Sequence, residues 1–508
     1  MESGNWPLAR DGFQQALSLE PGHAYAMLQL SYVESFADRY RAARDWALRA
    51  AAVQPAQPEV LHELARRLRT FNEVPALRDI ATRLLGGGSA TPRLLVECAR
   101  LLADVNDLGL ALRCAEAAVA MAPGDMAARL IRGQLLAHHA RVAEAGNDFD
   151  WVLSRNPRVG SAWWMLSRQR KQTTGSNHVR QLRTVLATQG LQPPAAAAVA
   201  RALHKELDDL GDTEDAWRAL ALMCRIKRSS LKYDVAENRR LFDGLIAMPP
   251  APAASNAAIG PRTPVFIVGM HRSGTTLLEQ LFDAHPRVRG IGELYDFASA
   301  MRYAADHHCK DAIDHEIVAR APSADFDEAG RRYLHGVEWR LGGESYFTDK
   351  LPSNFLNIGF ICRALPQAKI LHMVRDPVET CFSNLRELFS STNPYSYDQV
   401  ELADYYLQYR RLMAHWHAMY PGRILDVDYA RLTADPETVM REVAAYCGLD
   451  YVDGMRSTAS STRAVATASS VQVRSEVARR DEPKWWPYRQ HLQPLIDALR
   501  TGGAAVPD

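Results

Sequence analysis

A regular spacing of prolines in the N-terminal third of the chain constrains its fold most strongly. Prolines stand at positions 21, 55, 123 and 157, so the gaps of 34, 68 and 34 residues are all multiples of 34. Alanines keep the same register, since Ala16 lies five residues before Pro21 just as Ala50 lies five residues before Pro55. Small side chains let two helices approach closely, and a proline ends the second helix. The spacing therefore predicts helical hairpins that stack into a solenoid.

This period resembles that of tetratricopeptide repeats, whose helix-turn-helix units form a solenoid with a concave face that commonly holds peptides. We expect the solenoid to cover residues 1–172 and to hold a peptide or protein partner. Arginines give the early repeats a basic bias, which would favour acidic peptides or form a solvated face. They stand at positions 41, 44, 49, 66, 67, 69, 78 and 83.

Residues 173–247 keep a helical pattern but lose the strict register of the repeats. The sequence Leu210-Gly211-Asp212 predicts a turn between two of these helices. Residues 248–263 are rich in proline and alanine and show no periodicity. We interpret the first range as an irregular helical connector and the second as a linker.

The stretch from Pro264 to Leu278 carries the strongest chemical signal in the sequence. Residues 265–268 are apolar and predict a strand that is buried on both faces, and Gly269 ends it. A helical pattern begins after Gly274, so backbone N–H groups and a helix N-terminus converge on one point, where an anion is expected. The loop has the glycine spacing of a phosphate-binding loop but lacks the lysine of nucleoside triphosphatases. Its cation is Arg272.

Charged residues follow two other predicted strands. Residues 288–291 form a short strand pattern with Glu293 just beyond it, and residues 369–374 form a buried strand pattern that Arg375 and Asp376 follow. Ligand-contacting residues of open parallel sheets gather at the carboxyl ends of strands, so Glu293 is either a catalytic carboxylate or a helix cap. The second strand also resembles that of a nucleotide hydrolase with Asp376 as magnesium ligand. The missing loop lysine disfavours this alternative.

Four motifs in this order resemble the sulfotransferases that use 3′-phosphoadenosine 5′-phosphosulfate (PAPS). They are the loop that begins at Pro264, the sequence GEL with Glu293, TDKLPSNF around Lys350, and HMVRDP followed by Ser383. With the repeats ahead of them, the motifs resemble bacterial tetratricopeptide proteins with a domain similar to tyrosylprotein sulfotransferase. The resemblance implies an α-solenoid followed, over residues 264–508, by a P-loop-like α/β sulfotransferase domain with a central parallel sheet.

The resemblance also implies roles for particular residues. Glu293 would be the catalytic base, while Arg272 and Lys350 would stabilise the transition state. The loop would bind the 5′-phosphosulfate, and Arg375 with Ser383 would bind the 3′-phosphate. Arg474 would lie in a segment that closes over the cofactor, where the family has a lysine one place later. The cofactor-binding residues would be His271, Arg272, Ser273, Gly274, Thr275, Thr276, Arg375, Ser383, Tyr429 and Arg474.

Charge and cysteine content restrict the setting in which the chain works. A net charge of +1 predicts neither a nucleic-acid partner nor a membrane surface. The seven cysteines are scattered and never form a C-x-x-C pair, which favours reduced thiols and a cytoplasmic location. The pattern of a signal peptide is missing at the start, and we expect no membrane span. The sequence His307-His308-Cys309 fits no zinc spacing, so no metal site is expected.

The expected function is transfer of a sulfuryl group from PAPS to an acceptor hydroxyl, with a tyrosine of a peptide or protein as acceptor by resemblance. Such a transfer needs preorganised cations and a general base, and it requires no metal. A small-molecule O-sulfotransferase, a P-loop kinase or nucleotide hydrolase, and a non-catalytic repeat scaffold are the alternatives. The joint presence of Arg272, Glu293, Lys350, Arg375 and Ser383 favours an enzyme over a scaffold.

Overall fold

The computed structural model describes residues 6–249, 260–309, 311–389, 392–458 and 482–506. A helical array comes first, and a domain built on a five-stranded parallel sheet follows it. This is the fold class that the sequence predicts, whereas the exact domain boundaries stay predictions. Within the described residues, no helix combines the length and the apolar character that crossing a bilayer requires.

Helices of the N-terminal region pair as hairpins in the predicted register. The alanines of the repeat pattern, including Ala43, Ala50, Ala111 and Ala118, are completely buried between the paired helices. Their small side chains explain the close packing. The helices are α1 (Trp6–Leu19), α2 (Ala24–Phe36), α3 (Tyr40–Ala52), α4 (Pro58–Thr70), α5 (Val74–Leu85), α6 (Pro92–Asp104), α7 (Leu108–Met121), α8 (Met126–His138), α9 (Val142–Arg155) and α10 (Gly160–Arg168).

Four further helices connect this array to the sheet. They are α11 (Val179–Leu186), α12 (Pro193–Leu210), α13 (Thr213–Ser229) and α14 (Val235–Ile246). Gly211 has a φ of 80° and ends α12, which confirms the predicted turn. Arg228 of α13 binds the carboxylate of Glu401 with two hydrogen bonds of 2.7 and 2.8 Å. The connector is therefore packed onto the second domain.

The sheet contains β1 (Thr263–Gly269), β2 (Val288–Gly290), β3 (Tyr346–Asp349), β4 (Lys369–Val374) and β5 (Ile424–Asp428). Its strand order is β2-β3-β1-β4-β5, and all neighbouring strands are parallel. The chain leaves β1 towards β2 and β3 on one side and later reaches β4 on the other. A crevice is expected at such a point, outside the carboxyl ends of β1 and β4. The loop with Arg272 and the residue Arg375 border this crevice.

Helices cover both faces of the sheet. The helices are α15 (Thr275–Asp283), α16 (Asp296–Ala305), α17 (His315–Arg320), α18 (Phe326–Glu338), α19 (Ile358–Ala364), α20 (Pro377–Leu385), α21 (Gln399–Met419), α22 (Tyr429–Ala434), α23 (Pro436–Cys447) and α24 (Gln493–Thr501). Strands β1 and β4 are mostly buried apolar residues, as expected for strands that are covered on both sides.

Several arginines of the early repeats lie against the sheet domain. Arg41 donates hydrogen bonds of 2.8 Å to the carbonyls of Tyr303 and Ala304. The guanidinium groups of Arg69 and Arg78 lie over the rings of Tyr295 and Trp339, at 5.3 and 4.2 Å from the ring centroids. The expectation of a solvated basic face is therefore wrong for these arginines. Their backbone and aromatic partners make them part of a domain interface.

Candidate functional site

The loop between β1 and α15 has the backbone of an anion-binding turn. Gly269 and Gly274 have φ angles of 150° and 114°, and Arg272 has a φ of 67°. A non-glycine residue adopts this left-handed conformation only where its surroundings fix it. The side chain of Asn384, on α20, fixes the loop by donating a hydrogen bond of 2.6 Å to the carbonyl of His271. Ser273, Thr275 and Thr276 are buried at the start of the helix.

Arg272 points its guanidinium into the protein. Its Nε donates to Ser383 Oγ at 3.4 Å, and its Nη1 lies 3.8 Å from Glu387 Oε2. Burial lowers the pKa of Arg272. Burial also opposes ionisation of Glu387, but nearby guanidinium groups, Arg272 foremost, lower the pKa of its carboxyl overall. The pair holds the Arg272 guanidinium where the loop and α20 meet, beside Ser383.

Arg375 joins the second motif to the first. Its Nη1 donates to the carbonyl of Arg272 at 3.1 Å, and its Nη2 binds Glu379 Oε2 at 2.5 Å. The guanidinium also lies 4.4 Å from the centroid of the Tyr429 ring. Tyr429 in turn packs against Gly274. The residues predicted for the two phosphate groups therefore lie around one crevice.

Glu293 and Lys350 form an ion pair at the carboxyl ends of β2 and β3. Lys350 Nζ donates to Glu293 Oε1 at 2.6 Å, with the lysine side chain 0% and the glutamate 35% exposed. The backbone holds the pair, because the N–H of Lys350 donates to the carbonyl of Gly292 at 3.0 Å. Gly292 N–H donates to Glu279 Oε1 at 2.9 Å. The carboxylate of Glu293 thus pairs with Lys350, and Tyr295 occupies the N-cap position of α16.

A cavity of about 440 Å³ opens beside the loop and Glu293. One wall carries His271, Arg272, Thr275 and Thr276, and Glu293 lies on the same cavity. Burial lowers the pKa of His271 to about 4, so its ring is neutral near pH 7. The rest of the lining mixes polar and charged side chains, among them Lys232, Glu237 and His315, with apolar and aromatic ones. The apolar and aromatic residues include Tyr233, Leu241, Ile313, Phe389, Tyr395 and Tyr405.

Buried polar atoms around the loop test whether an anionic nucleotide fits here. Ser273 Oγ, His271 Nδ1 and Arg375 Nε are buried without a hydrogen-bond partner among the described residues. Buried polar groups are normally paired, so atoms of this kind indicate a missing ligand. A phosphate or sulfate oxygen accepts hydrogen bonds from hydroxyl and guanidinium groups. The residues present therefore fit the phosphate and sulfuryl groups of PAPS.

Possible metal ligands are engaged with one another. His307 lies between the carboxylates of Asp38 and Asp314, at 2.8 and 2.9 Å. Elsewhere, His372 and His417 each bind Asp426 Oδ1, at 2.7 and 2.9 Å.

The structure brings most of the predicted site residues together. Arg272, Ser383, Arg375 and Tyr429 lie around the loop. Glu293 lines the cavity, and the buried Lys350 is paired with it. Arg474 falls outside the described residues. Sequence reasoning missed several supporting side chains, which contact a predicted residue or the backbone beside Glu293. They are Asn106, Glu279, Glu379, Asn384 and Glu387.

Gly274 allows a direct test of the loop. A Cβ atom at this position would lie 2.4 Å from the Tyr429 ring, and the φ of 114° is unsuited to alanine. Because each such strain costs about 1–3 kcal/mol, we expect Gly274→Ala to weaken binding of adenosine 3′,5′-bisphosphate about ten- to hundredfold. Calorimetric titration measures this affinity. The matched control is Gly422→Ala, where φ is 76° but a Cβ meets nothing within 4 Å. Equal affinities in the two variants would contradict the prediction.

Comparison with known proteins agrees with the resemblance. Residues 264–453 match the model of a family described as the sulfotransferase family. An uncharacterized protein of Aquifex aeolicus is 29% identical over 340 residues, which are 65% of this chain and 45% of that protein. Protein-tyrosine sulfotransferase 2 of Gallus gallus is 27% identical over 205 residues, which are 37% of this chain and 52% of that protein. The matched region thus spans about half of each relative.

Among solved structures, the sulfotransferase STF9 from Mycobacterium avium aligns with 69% of this chain and 98% of its own. The TM-score of this alignment is 0.30 and the sequence identity 15%. The match to the family model and the named relatives together confirm the predicted resemblance to sulfotransferases.

Proposed function

We propose that this chain transfers the sulfuryl group of PAPS to the hydroxyl of a phenolic acceptor, a tyrosine of a peptide or protein. The observation that carries the proposal is the ion pair of Glu293 and Lys350, because Glu293 lines the same cavity as the anion-binding loop and the buried lysine is paired with it. A base, a buried cation and an anion site are the three parts that the reaction needs. The match of residues 264–453 to the sulfotransferase family model supports the reaction class.

The loop and α20 would hold the donor nucleotide. Arg272, Ser273 and the first N–H groups of α15 would bind the 5′-phosphosulfate, while Arg375 and Ser383 would bind the 3′-phosphate. PAPS supplies a sulfuryl group that is activated by its bond to phosphate. Burial of Arg272 strengthens its electrostatic attraction for the anion, because the local dielectric constant is low.

Glu293 would take the proton from the acceptor hydroxyl as the new O–S bond forms. The bond between sulfur and the bridging oxygen of the phosphate breaks at the same time, and negative charge develops on that oxygen. Lys350 and Arg272 are the cations that would stabilise this charge. Adenosine 3′,5′-bisphosphate leaves, and the proton stays on the Glu293 carboxyl until solvent removes it.

The walls of the cavity support an aromatic acceptor. Tyr233, Phe389 and Tyr395 offer ring faces and edges at the cavity that contains Glu293, and aromatic rings pack well against one another. A relative named protein-tyrosine sulfotransferase favours tyrosine over other phenols. The repeats would hold the peptide or protein that carries the acceptor tyrosine, and the tyrosine side chain would enter this cavity.

A small phenol is the second candidate acceptor, because the cavity volume suits a free small molecule as well as a side chain. The kinase alternative is less well supported. Asp376, its required magnesium ligand, accepts the N–H of Glu379 at 2.8 Å as the cap of α20. Its carboxylate therefore has a structural role at the strand end.

The cysteines support the proposed cytoplasmic location. All seven thiols are free and buried, as expected in a reducing compartment.

Calorimetric titration with adenosine 3′,5′-bisphosphate, beside ATP with magnesium, tests the proposal. We expect metal-independent binding of the bisphosphate, and a loss of about ten- to hundredfold in Arg375→Ala because a charge-assisted hydrogen bond contributes about 1.5–3 kcal/mol. Arg431→Ala is the matched control, since Arg431 pairs with Glu442 at 2.7 Å on the surface, away from the crevice. Preference for magnesium ATP, or equal affinity in both variants, would contradict the assignment.

A further inference from the structure

The turns inside the helical hairpins share a residue position that recurs every 34 residues. Asp38, Asn72, Asn106 and Ala140 all have left-handed backbones, with φ angles of 53°, 57°, 61° and 60°. Each is followed by a residue whose N–H bonds back to the preceding helix, such as Asp107 N to Leu102 O at 2.9 Å. Asparagine and aspartate tolerate this conformation better than most residues. The four side chains therefore project from equivalent turns.

Three of these side chains contact one segment of the sheet domain. Asn106 Nδ2 donates to the carbonyl of Ile291 at 2.9 Å. The Asn72 side chain hydrogen-bonds to Asp296. Asp38 binds the ring of His307 at 2.8 Å. In contrast, Ala140 is exposed.

The three contacts follow α16 in the opposite direction to the repeats, so that the later turns contact the earlier residues of this segment. The third of the three turns contacts Ile291, five residues before α16, the second contacts the first residue of α16, and the first contacts the segment after it. Ser299, in the middle of α16, strengthens the row by donating to the carbonyl of Phe71 at 3.0 Å. Helix α16 thus lies across the edges of three stacked hairpins.

The contact of Asn106 is adjacent to the candidate base. Ile291, whose carbonyl it binds, is separated from Glu293 only by Gly292. A Cβ atom at Gly292 would lie 2.4 Å from Asn106 Nδ2, so the amide packs directly on the glycine. The backbone of Gly292 is also the group that binds Glu279 and Lys350. Asn106 is thus a third support of the loop, beside Glu279 and Lys350, and it comes from the solenoid.

We propose that Asn106 is a positioning residue for Glu293, and that the row Asp38, Asn72 and Asn106 is an internal docking edge of the solenoid. The positioning role of Asn106 rests on the function proposed above, whereas its contact with the loop before α16 does not depend on that function. Asparagine suits position 106 for two reasons: it adopts the left-handed backbone, and its side chain donates a hydrogen bond. Aspartate shares the first property and lacks the donor.

Two substitutions remove the donor without straining the turn. Asn106→Gly keeps the left-handed backbone and deletes the amide, and Asn106→Asp keeps the shape while replacing the donor with an acceptor. Ala140→Gly is the matched control at the equivalent turn of the next repeat. Because glycine is accepted at all four turns, a general loss of turn stability would appear equally in the control.

Hydrogen exchange of residues 288–296, measured by mass spectrometry on the full-length protein, tests the docking without any activity. We expect both Asn106 variants to exchange about tenfold faster there, the factor that corresponds to one lost hydrogen bond. In the Asn106 variants, exchange in α24 should equal that of the wild type. In the Ala140→Gly control, exchange at residues 288–296 should also equal that of the wild type. Unchanged exchange at residues 288–296 would overturn the proposal.

Kinetics with PAPS and p-nitrophenol as a probe acceptor test the positioning. We expect kcat to fall about tenfold or more in both variants, because displacement of a reacting group slows chemistry, while affinity for adenosine bisphosphate stays constant. Faster exchange with an unchanged kcat would overturn the positioning role. If the wild-type protein transfers no sulfuryl group, the proposed function fails, and the exchange result still decides whether the loop is docked by Asn106.

Discussion

Replacing Glu293 by glutamine is expected to slow sulfuryl transfer by about 10² to 10⁴, the usual contribution of a general base. Glutamine preserves the shape of the side chain and still offers an oxygen to Lys350, so the loop after β2 should keep its geometry. What it removes is the ability to accept a proton from the acceptor hydroxyl. Single-turnover rates with PAPS and a tyrosine peptide measure the effect on chemistry alone.

Binding of adenosine bisphosphate should survive Glu293→Gln, because the nucleotide-holding residues lie on the loop after β1 and on α20. Glu442→Gln is the control, since its carboxylate accepts a hydrogen bond of 2.7 Å from Arg431 at the surface. A rate close to that of the wild type would show that Glu293 is not the base. Loss of nucleotide binding together with the rate would instead point to a collapsed loop.

The sequence predicted the residues that stand directly after strands. Arg375 and Lys350 immediately follow β4 and β3, and Glu293 lies three residues beyond β2. In a parallel sheet all carboxyl ends meet at one edge, so local motifs that are far apart in the chain were expected to converge. The ion pair between Glu293 and Lys350 follows from this geometry, although its length and its burial required the structure.

Residues that support the site from outside the motifs were not predicted. Glu387 contacts Arg272 from beyond the end of α20, and Asn106 reaches the loop of Glu293 from the solenoid. Neither lies in a motif, because each contact depends on how two elements dock. One signal was available: Asp or Asn recurs at positions 38, 72 and 106 with the period of the prolines. Polar residues of this kind in the same turn of successive repeats indicate left-handed turns that have a further use.

The arginines of the early repeats show why charge patterns mislead. Read along the chain, Arg41, Arg69 and Arg78 suggest a basic surface. In the structure each contacts a carbonyl or an aromatic ring of the other domain. Arginine combines a planar apolar face with five donors, so it is as suited to an interface as to solvent. Composition alone does not distinguish the two.

Replacing Lys350 by methionine is expected to slow transfer by about 10² to 10³, the typical cost of removing one preorganised electrostatic group. Methionine has a similar length and fills the buried site, so the change removes charge more than packing. Glu293 loses its partner but is 35% exposed, which lets water solvate the carboxylate. We therefore expect a small change in the thermal midpoint and a large change in kcat.

Lys205→Met is the matched control for this prediction. Lys205 also pairs with a carboxylate, Asp209 at 2.6 Å, but it does so on α12. A normal rate for Lys205→Met and a reduced rate for Lys350→Met would assign the effect to the site. If both variants lose the same amount of stability and activity, Lys350 has only a structural role.

The double variant Glu293→Gln with Lys350→Met separates two versions of the mechanism. If the two side chains act on the same transition state as a unit, the combined loss is much smaller than the product of the single losses. If Lys350 acts on the departing phosphate independently of Glu293, the losses multiply. The distance of 2.6 Å between Lys350 Nζ and Glu293 Oε1 favours the first result. The lysine then orients the base in the free enzyme and meets the developing charge once the carboxyl has taken its proton.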